Sequence, residues 1–172
     1  SRTFAPRRVS PLVVRELTRR GANVRVVLSA AATRFVGAIT FAGITGEKPV
    51  TDLSDPSYAG EVHVELGAWA DAMLVVPATM NLLAKVAHGH ADDALTATLA
   101  CQTGPVLFAP GMHHAMWNKP STQRNVAQLV TEALFFVGPV SGALASGDVG
   151  MGRMAEPVAI VDMQLERRPD LR

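Results

Sequence analysis

The sequence predicts an α/β domain built on a parallel sheet. Three observations carry that expectation. Helix-like and strand-like segments alternate along the chain. Two short runs, Ala72–Val76 and Pro105–Ala109, are apolar throughout and each is followed by a proline, Pro77 and Pro110; strands covered on both faces look like this. The 172 residues fit one ordinary domain with a core of its own. Ligands of such sheets bind beyond the carboxyl ends of the strands, so Ser29, Pro77–Asn81 and Pro110–Trp117 are the informative positions.

Taken in order, Ser10–Gly21 reads as a helix. Pro11 stands at its start, Gly21 past its end, and Leu12, Val13, Val14 and Leu17 form its apolar stripe. Val24–Leu28 follows as a short buried strand, the second half of an αβ unit. Ser29 caps a further helical start from Ala30 to Val36. Gly43–Gly60 is punctuated by Gly, Pro and Asp and reads as loop. His63–Ala70 is a short helix, Ala72–Val76 a strand, and Met80–Ala100 a helix interrupted at Gly89. Pro105–Ala109 is a strand, Ser121–Ala133 a helix and Leu134–Val137 a strand. Ser141–Gly152 is a Gly-rich loop and Glu156–Arg167 a final helix. No internal repeat or linker divides the chain, so residues 1–172 are expected to be a single domain.

Composition narrows the function. Apolar residues make up 48% and charged ones 18%, which excludes disorder. A net charge of +1 argues against a dedicated nucleic-acid binder. The single cysteine, Cys101, excludes an internal disulfide framework and a Cys-based zinc site. No apolar run is long enough to span a membrane. The basic stretch Ser1–Arg8 leads into no signal-peptide core, and the expected location is cytoplasmic. Mean hydropathy is +0.20, high for a monomer, and subunit contacts are the expected destination of the excess.

Four constellations stand out. In Pro77-Ala78-Thr79-Met80-Asn81, small residues after a strand let backbone approach a flat ligand, and Asn81 brings an amide. A plain capped turn is the simpler reading. In Pro110-Gly111-Met112-His113-His114-Ala115-Met116-Trp117, the histidines suit a base, an anion-binding pair or metal ligands. Adjacent helical residues diverge by about 100°, which makes chelation by both awkward, and no metal site is expected. His63 sits at a helix start, where the helix dipole favours the neutral imidazole. Ser146–Met154 holds three glycines with Asp148 and Arg153 as polar handles, as a mobile flap would.

Together and in this order, these blocks resemble the homo-oligomeric flavin-containing cysteine decarboxylases. The resemblance runs from about Leu12 to Asp162. It is carried by His63-Val64-Glu65-Leu66 with Trp69-Ala70-Asp71, by Pro77–Asn81, by Pro110-Gly111-Met112 with Met116-Trp117, by Thr122–Asn125, and by Gly147-Asp148-Val149-Gly150 with Gly152-Arg153-Met154. That family includes the phosphopantothenoylcysteine decarboxylases of coenzyme A synthesis. It also includes the peptidyl-cysteine decarboxylases that trim epidermin-, mersacidin- and thioviridamide-type peptides.

The resemblance implies a flavodoxin-like Rossmann three-layer sandwich, FMN rather than FAD, and a trimer or a dodecamer of trimers. It implies a cofactor site of Ser29, Phe35, Pro77, Ala78, Thr79, Asn81 and Met112. His63 and His113 are then catalytic, with His113 binding the substrate carboxylate. His114, Met116, Asp148, Arg153 and Met154 bind substrate. The implied reaction is oxidative decarboxylation of a C-terminal peptidyl cysteine to an aminoenethiol. Phosphopantothenoylcysteine decarboxylation is the alternative, and a non-catalytic flavin-binding regulatory subunit is the alternative of another class.

The departures shape that choice. The family's Pro-x-Met-Asn-x-x-Met-Trp motif has Asn where this chain has His113, and its usual Thr is Leu82 here. The pantetheine branch has in its flap a Cys that reduces the enethiol; this chain has Ser146, which favours the peptide branch. The family also begins with a strand and a Gly-Ser loop, which are expected to precede the first helix and are missing from these 172 residues.

Overall fold

The computed structural model describes residues 9–58, 60–144 and 146–166. Its first helix, α1 (Val9–Arg19), runs into a turn at Gly21, whose φ of +87° suits a residue without Cβ. α1 is a shared wall. Val13 packs with Leu107, Ile160 and Val161, whereas Val14 packs with Leu28 and Phe41. Beyond it come α2 (Ala30–Thr33), α3 (Ala38–Thr45) and α4 (Val62–Trp69).

The parallel sheet has three strands, in the order β1 (Met73–Ala78), β2 (Val106–Pro110), β3 (Phe135–Phe136). Every residue of the central strand β2 is buried. Alternation along it sends side chains to opposite faces. Val106 and Phe108 face α5 (Met80–Ala87) and α8 (Pro120–Thr131) through Leu82, Leu83 and Leu129. Leu107 and Ala109 face α1 and α9 (Pro157–Glu166) through Val13, Ile160 and Val161. Helices therefore cover both faces, the three-layer arrangement that the resemblance implies. Phe108 also stacks on Phe136 at 5.4 Å.

Several elements differ from the sequence reading. Val24–Leu28 makes a single parallel bridge, Val27 to Val50, with the Leu28 N–H donating to the Val50 carbonyl at 2.8 Å. Pro49, next to Val50, has no N–H with which to extend the ladder. On the outer edge of β1 the Ser10 hydroxyl donates to the Val76 carbonyl at 2.9 Å. α3 lies across residues read partly as loop. Its sequence is apolar on nearly every side, so no stripe marks it; Phe41 is buried while Ile39 is 81% exposed. The helical stretch after Met80 divides into α5 and α6 (Ala94–Cys101), the latter started by an Asp93–Thr96 capping box.

The expected Gly-rich loop is an antiparallel hairpin, β4 (Val140–Ala143) and β5 (Val149–Arg153). Gly142 faces Gly150 in its register, so backbone pairing holds it without large side chains. Ser1–Arg8, Arg167 and the strand expected before the first helix lie outside the described residues. Among the described residues, no helix is long and apolar enough to cross a membrane.

Candidate active site

The carboxyl ends of β1 and β2 lie side by side, with Ala78 paired to Pro110, at the place where parallel sheets hold ligands in a crevice. The Gly111 N–H donates to the Ala78 carbonyl at 3.2 Å, and the Met112 N–H to the Gly152 carbonyl at 2.9 Å. A Cβ on Gly111 would sit 3.3 Å from Met154 Cβ and 3.6 Å from Pro77 Cβ. Pro77, Ala78, Met112, Gly152 and Met154 thus surround the position of Gly111. Above it, Thr122 Oγ1 donates to the Met116 carbonyl at 2.7 Å and fastens the short helix α7 (His114–Trp117) to α8.

His113 is the N-cap of α7, with φ −62° and ψ 145°. It therefore lies outside the helical turn, and the divergence expected of adjacent helical residues does not apply. The rings of His113 and His114 lie 4.3 Å apart at 36°. His113 Nδ1 accepts from the Ala115 N–H at 3.2 Å. That places the ring proton on Nε2, which donates to Asp148 Oδ2 at 2.9 Å. Ser146 Oγ donates to the same oxygen at 3.0 Å. The bond from His113, and then that from Ser146, hold the Asp148 carboxyl below its ordinary range against the opposing effect of burial.

His114 Nδ1 is shielded from solvent and has no hydrogen-bond partner among the described residues. The hairpin crosses this ring at a glycine: a Cβ on Gly150 would lie 3.0 Å from His114 Cβ. Gly150 and Gly152 share one face of β5, and both press on the 112–114 segment. That period of two stands in the sequence as Gly150-Met151-Gly152, the only local signal of the close approach. Ser146 meets Asp148 two residues on and Thr122 meets Met116 six residues back; neither pair lies within one helix or strand.

The remaining candidates are placed as follows. Thr79 caps α5, accepting from the Leu82 N–H at 3.3 Å, and Asn81 is exposed in the first turn of that helix. Ser29 caps α2, accepting from the Ala32 N–H at 3.2 Å. Phe35 is 61% exposed between α2 and α3, His63 is half-buried in the first turn of α4, and Met116 is exposed on α7. Arg153 bonds Glu156. Two expectations need correcting. Met154 is not a free group on the flap; it is buried with Leu107 and Ala155 in the core. His113 does not offer a free nitrogen to a carboxylate, because both of its nitrogens are engaged.

A family model described as flavoprotein matches residues 8–168. The chain belongs to the flavoprotein family. Among curated relatives, the coenzyme A biosynthesis bifunctional protein CoaBC of Mycobacterium tuberculosis is 44% identical over 162 residues, 92% of this chain. The CoaBC of Escherichia coli K12 is 40% identical over 156 residues, 90% of this chain. The chain spans 38% of the length of each. Among solved structures, a Cys-to-Ser mutant of PPC decarboxylase complexed with pantothenoylaminoethenethiol is 28% identical with a TM-score of 0.82, covering 92% of this chain and 90% of that one. The FMN-dependent cysteine decarboxylase SpaF is 37% identical with a TM-score of 0.76, covering 95% of this chain and 92% of that one. The resemblance read from the sequence is thereby supported by independent comparison. The residues present fit a flavin. Just beyond β1, exposed Thr79 and Asn81 offer a hydroxyl and an amide to the polar edge of such a ring, and half-buried Met112 offers it an apolar neighbour.

Proposed function

We propose that the chain is an FMN-dependent decarboxylase acting on a cysteine with a free thiol and a free carboxylate, of the phosphopantothenoylcysteine class. The observation that supports this substrate class is the 44% identity, over 92% of the chain, to a coenzyme A biosynthesis protein. The peptidyl reading drawn from Ser146 is thus the second reading here. Pro77, Ala78, Thr79, Asn81 and Met112 would hold the ring system, and Ser29 with Phe35 its outer end. When bound, the flavin supplies a two-electron acceptor, and oxidation next to the sulfur makes the carboxylate easy to lose as CO2.

The chain's own residues supply the rest. His63 takes the thiol proton or orients the thiol. His114, rather than His113, meets the carboxylate, because the His113 ring is already committed to Asp148 and Ala115. Asp148, steadied by His113 and Ser146, fixes the hairpin over the crevice and limits entry of water. Exposed Ile39 and Val149 lie in subunit contacts of a homo-oligomer, which sedimentation tests: a stable monomer contradicts it.

One observation favours the second reading, a C-terminal peptidyl cysteine. A hydroxyl at Ser146 cannot pass on electrons as a thiol can, so the product stays at the aminoenethiol. The PPC decarboxylase mutant with Ser in place of Cys is the one complexed with an aminoethenethiol, and SpaF is 37% identical. Mass spectrometry of the flavin-loaded protein separates the readings. Turnover of phosphopantothenoylcysteine supports the first, and loss of CO2 and two hydrogens from a Cys-ended peptide supports the second. His63→Asn should abolish either. Turnover of neither substrate by the parent chain overturns the catalytic reading in favour of a flavin-binding regulatory subunit.

A further inference from the structure

We infer that His113, His114 and Asp148 form a site for one divalent transition-metal ion of the Zn2+ or Co2+ kind. One ring nitrogen from each histidine and one carboxylate oxygen all lie within 4.8 Å of one another. Ligands about 2.0–2.2 Å from a tetrahedral ion are themselves about 3.3 Å apart, so small side-chain rotations close the set. Two imidazoles and a carboxylate suit zinc and its neighbours; calcium and magnesium prefer oxygen alone.

Three features prepare the site. The extended backbone at His113 brings two adjacent rings side by side, which consecutive helical residues cannot do. His114 Nδ1 is a buried nitrogen with no partner among the described residues. Ser146 orients Asp148 from behind at 3.0 Å, the kind of outer-shell contact that tunes a ligand. Binding through His113 Nε2 moves the ring proton to Nδ1 and gives up the 3.2 Å bond from Ala115; no proton leaves that ring. Three protein ligands leave a fourth position for water. The ion joins Asp148, just before β5, to α7, so it clamps the hairpin over the crevice.

This proposal does not rest on the decarboxylase reading, because its readout needs no substrate; the ion and a substrate carboxylate are alternative occupants of His114. The protein as purified is titrated with Co2+. The expected result is one equivalent bound, with absorption bands at wavelengths beyond the flavin, displaced by Zn2+. His114→Gln and Asp148→Asn should weaken binding by more than the ~10–100-fold that loss of an outer-shell partner costs. His90→Ala, at the other close histidine pair, should change nothing. Far-UV circular dichroism identifies any variant that fails to fold, and the second variant then decides. No binding by the parent protein, or equal binding by a folded His114→Gln or Asp148→Asn variant, overturns the proposal.

Discussion

Replacing Gly152 by alanine attacks the joint between the β4–β5 hairpin and the crevice. The new Cβ would lie 2.3 Å from the Met112 carbonyl oxygen and 3.2 Å from the His114 nitrogen. Both neighbours are backbone atoms, so no side chain can swing aside, and β5 must retreat by about an ångström to reach ordinary contact. The retreat breaks the 2.9 Å bond from the Met112 N–H to the Gly152 carbonyl, a loss of about 0.5–1.5 kcal/mol. Overpacking adds about 1–3 kcal/mol. The φ of +149° is unfavourable for any side chain and adds a cost of about 1 kcal/mol or more. A destabilisation of about 3–5 kcal/mol follows, a large fraction of the ~5–15 kcal/mol that holds a domain folded. Urea unfolding followed by far-UV circular dichroism measures it. Gly142→Ala is the control, because its Cβ meets the flexible end of the Arg153 side chain at 2.9 Å. A Gly152→Ala variant within about 0.5 kcal/mol of the parent, or a Gly142→Ala variant equally damaged, refutes the reasoning.

Three further outcomes follow from packing and charge. Gly67→Ala places a Cβ 2.7 Å from Cys101 Cβ and 2.8 Å from its carbonyl oxygen, so α4 lifts from α6 at about 1–3 kcal/mol, read as a lower thermal midpoint. Leu129→Ala empties a fully buried position between α8 and the sheet and costs about 2–5 kcal/mol in urea. Glu16 is lowered from 4.5 to about 2 by hydrogen bonds from Arg19 and then Arg20. Its folded-state value is below its unfolded one, so its contribution is complete above pH 4.5 and is lost as pH falls toward 2. Glu16→Gln should flatten the acid limb of the stability profile in that window and leave its slope near neutral pH unchanged.

Legibility in the sequence followed locality. Ala72–Val76 and Pro105–Ala109 announced β1 and β2 because both runs are apolar at every position, as a strand buried on both faces must be; β2 is buried throughout, whereas β1, at the edge, is half-buried at most of its positions. The caps at Ser29 and Thr79 were legible because a cap is a contact over three residues. α3 was not, since a helix apolar on nearly all sides has no stripe to read. The hairpin was hidden because glycines signal a loop and a close approach equally well. Gly152 needs Met112, 40 residues earlier in number, to reveal which. The histidine pair likewise turns on backbone that the sequence does not display. Assuming helical backbone at His113 makes the rings diverge, whereas the N-cap geometry brings them together.

Two of the departures from the pattern, His113 for the family's Asn and Ser146 for the pantetheine branch's Cys, are 33 residues apart in number and share no local signal in the sequence. In the structure they bond the same atom: Asp148 Oδ2 accepts from His113 Nε2 at 2.9 Å and from Ser146 Oγ at 3.0 Å. They therefore act as one change, a paired set of donors to a single carboxylate oxygen. Changing one leaves the other to hold Asp148 differently. His113→Asn and Ser146→Cys, made singly and together, test this through kcat/KM for whichever cysteine substrate turns over. Independent sites give effects that multiply. A shared acceptor predicts that the double variant departs from the product of the single effects by more than about twofold. The expected sign is a double variant more active than the product, because the two family residues restore a matched pair. Multiplicative effects within that twofold limit would show that Asp148 responds to each neighbour separately.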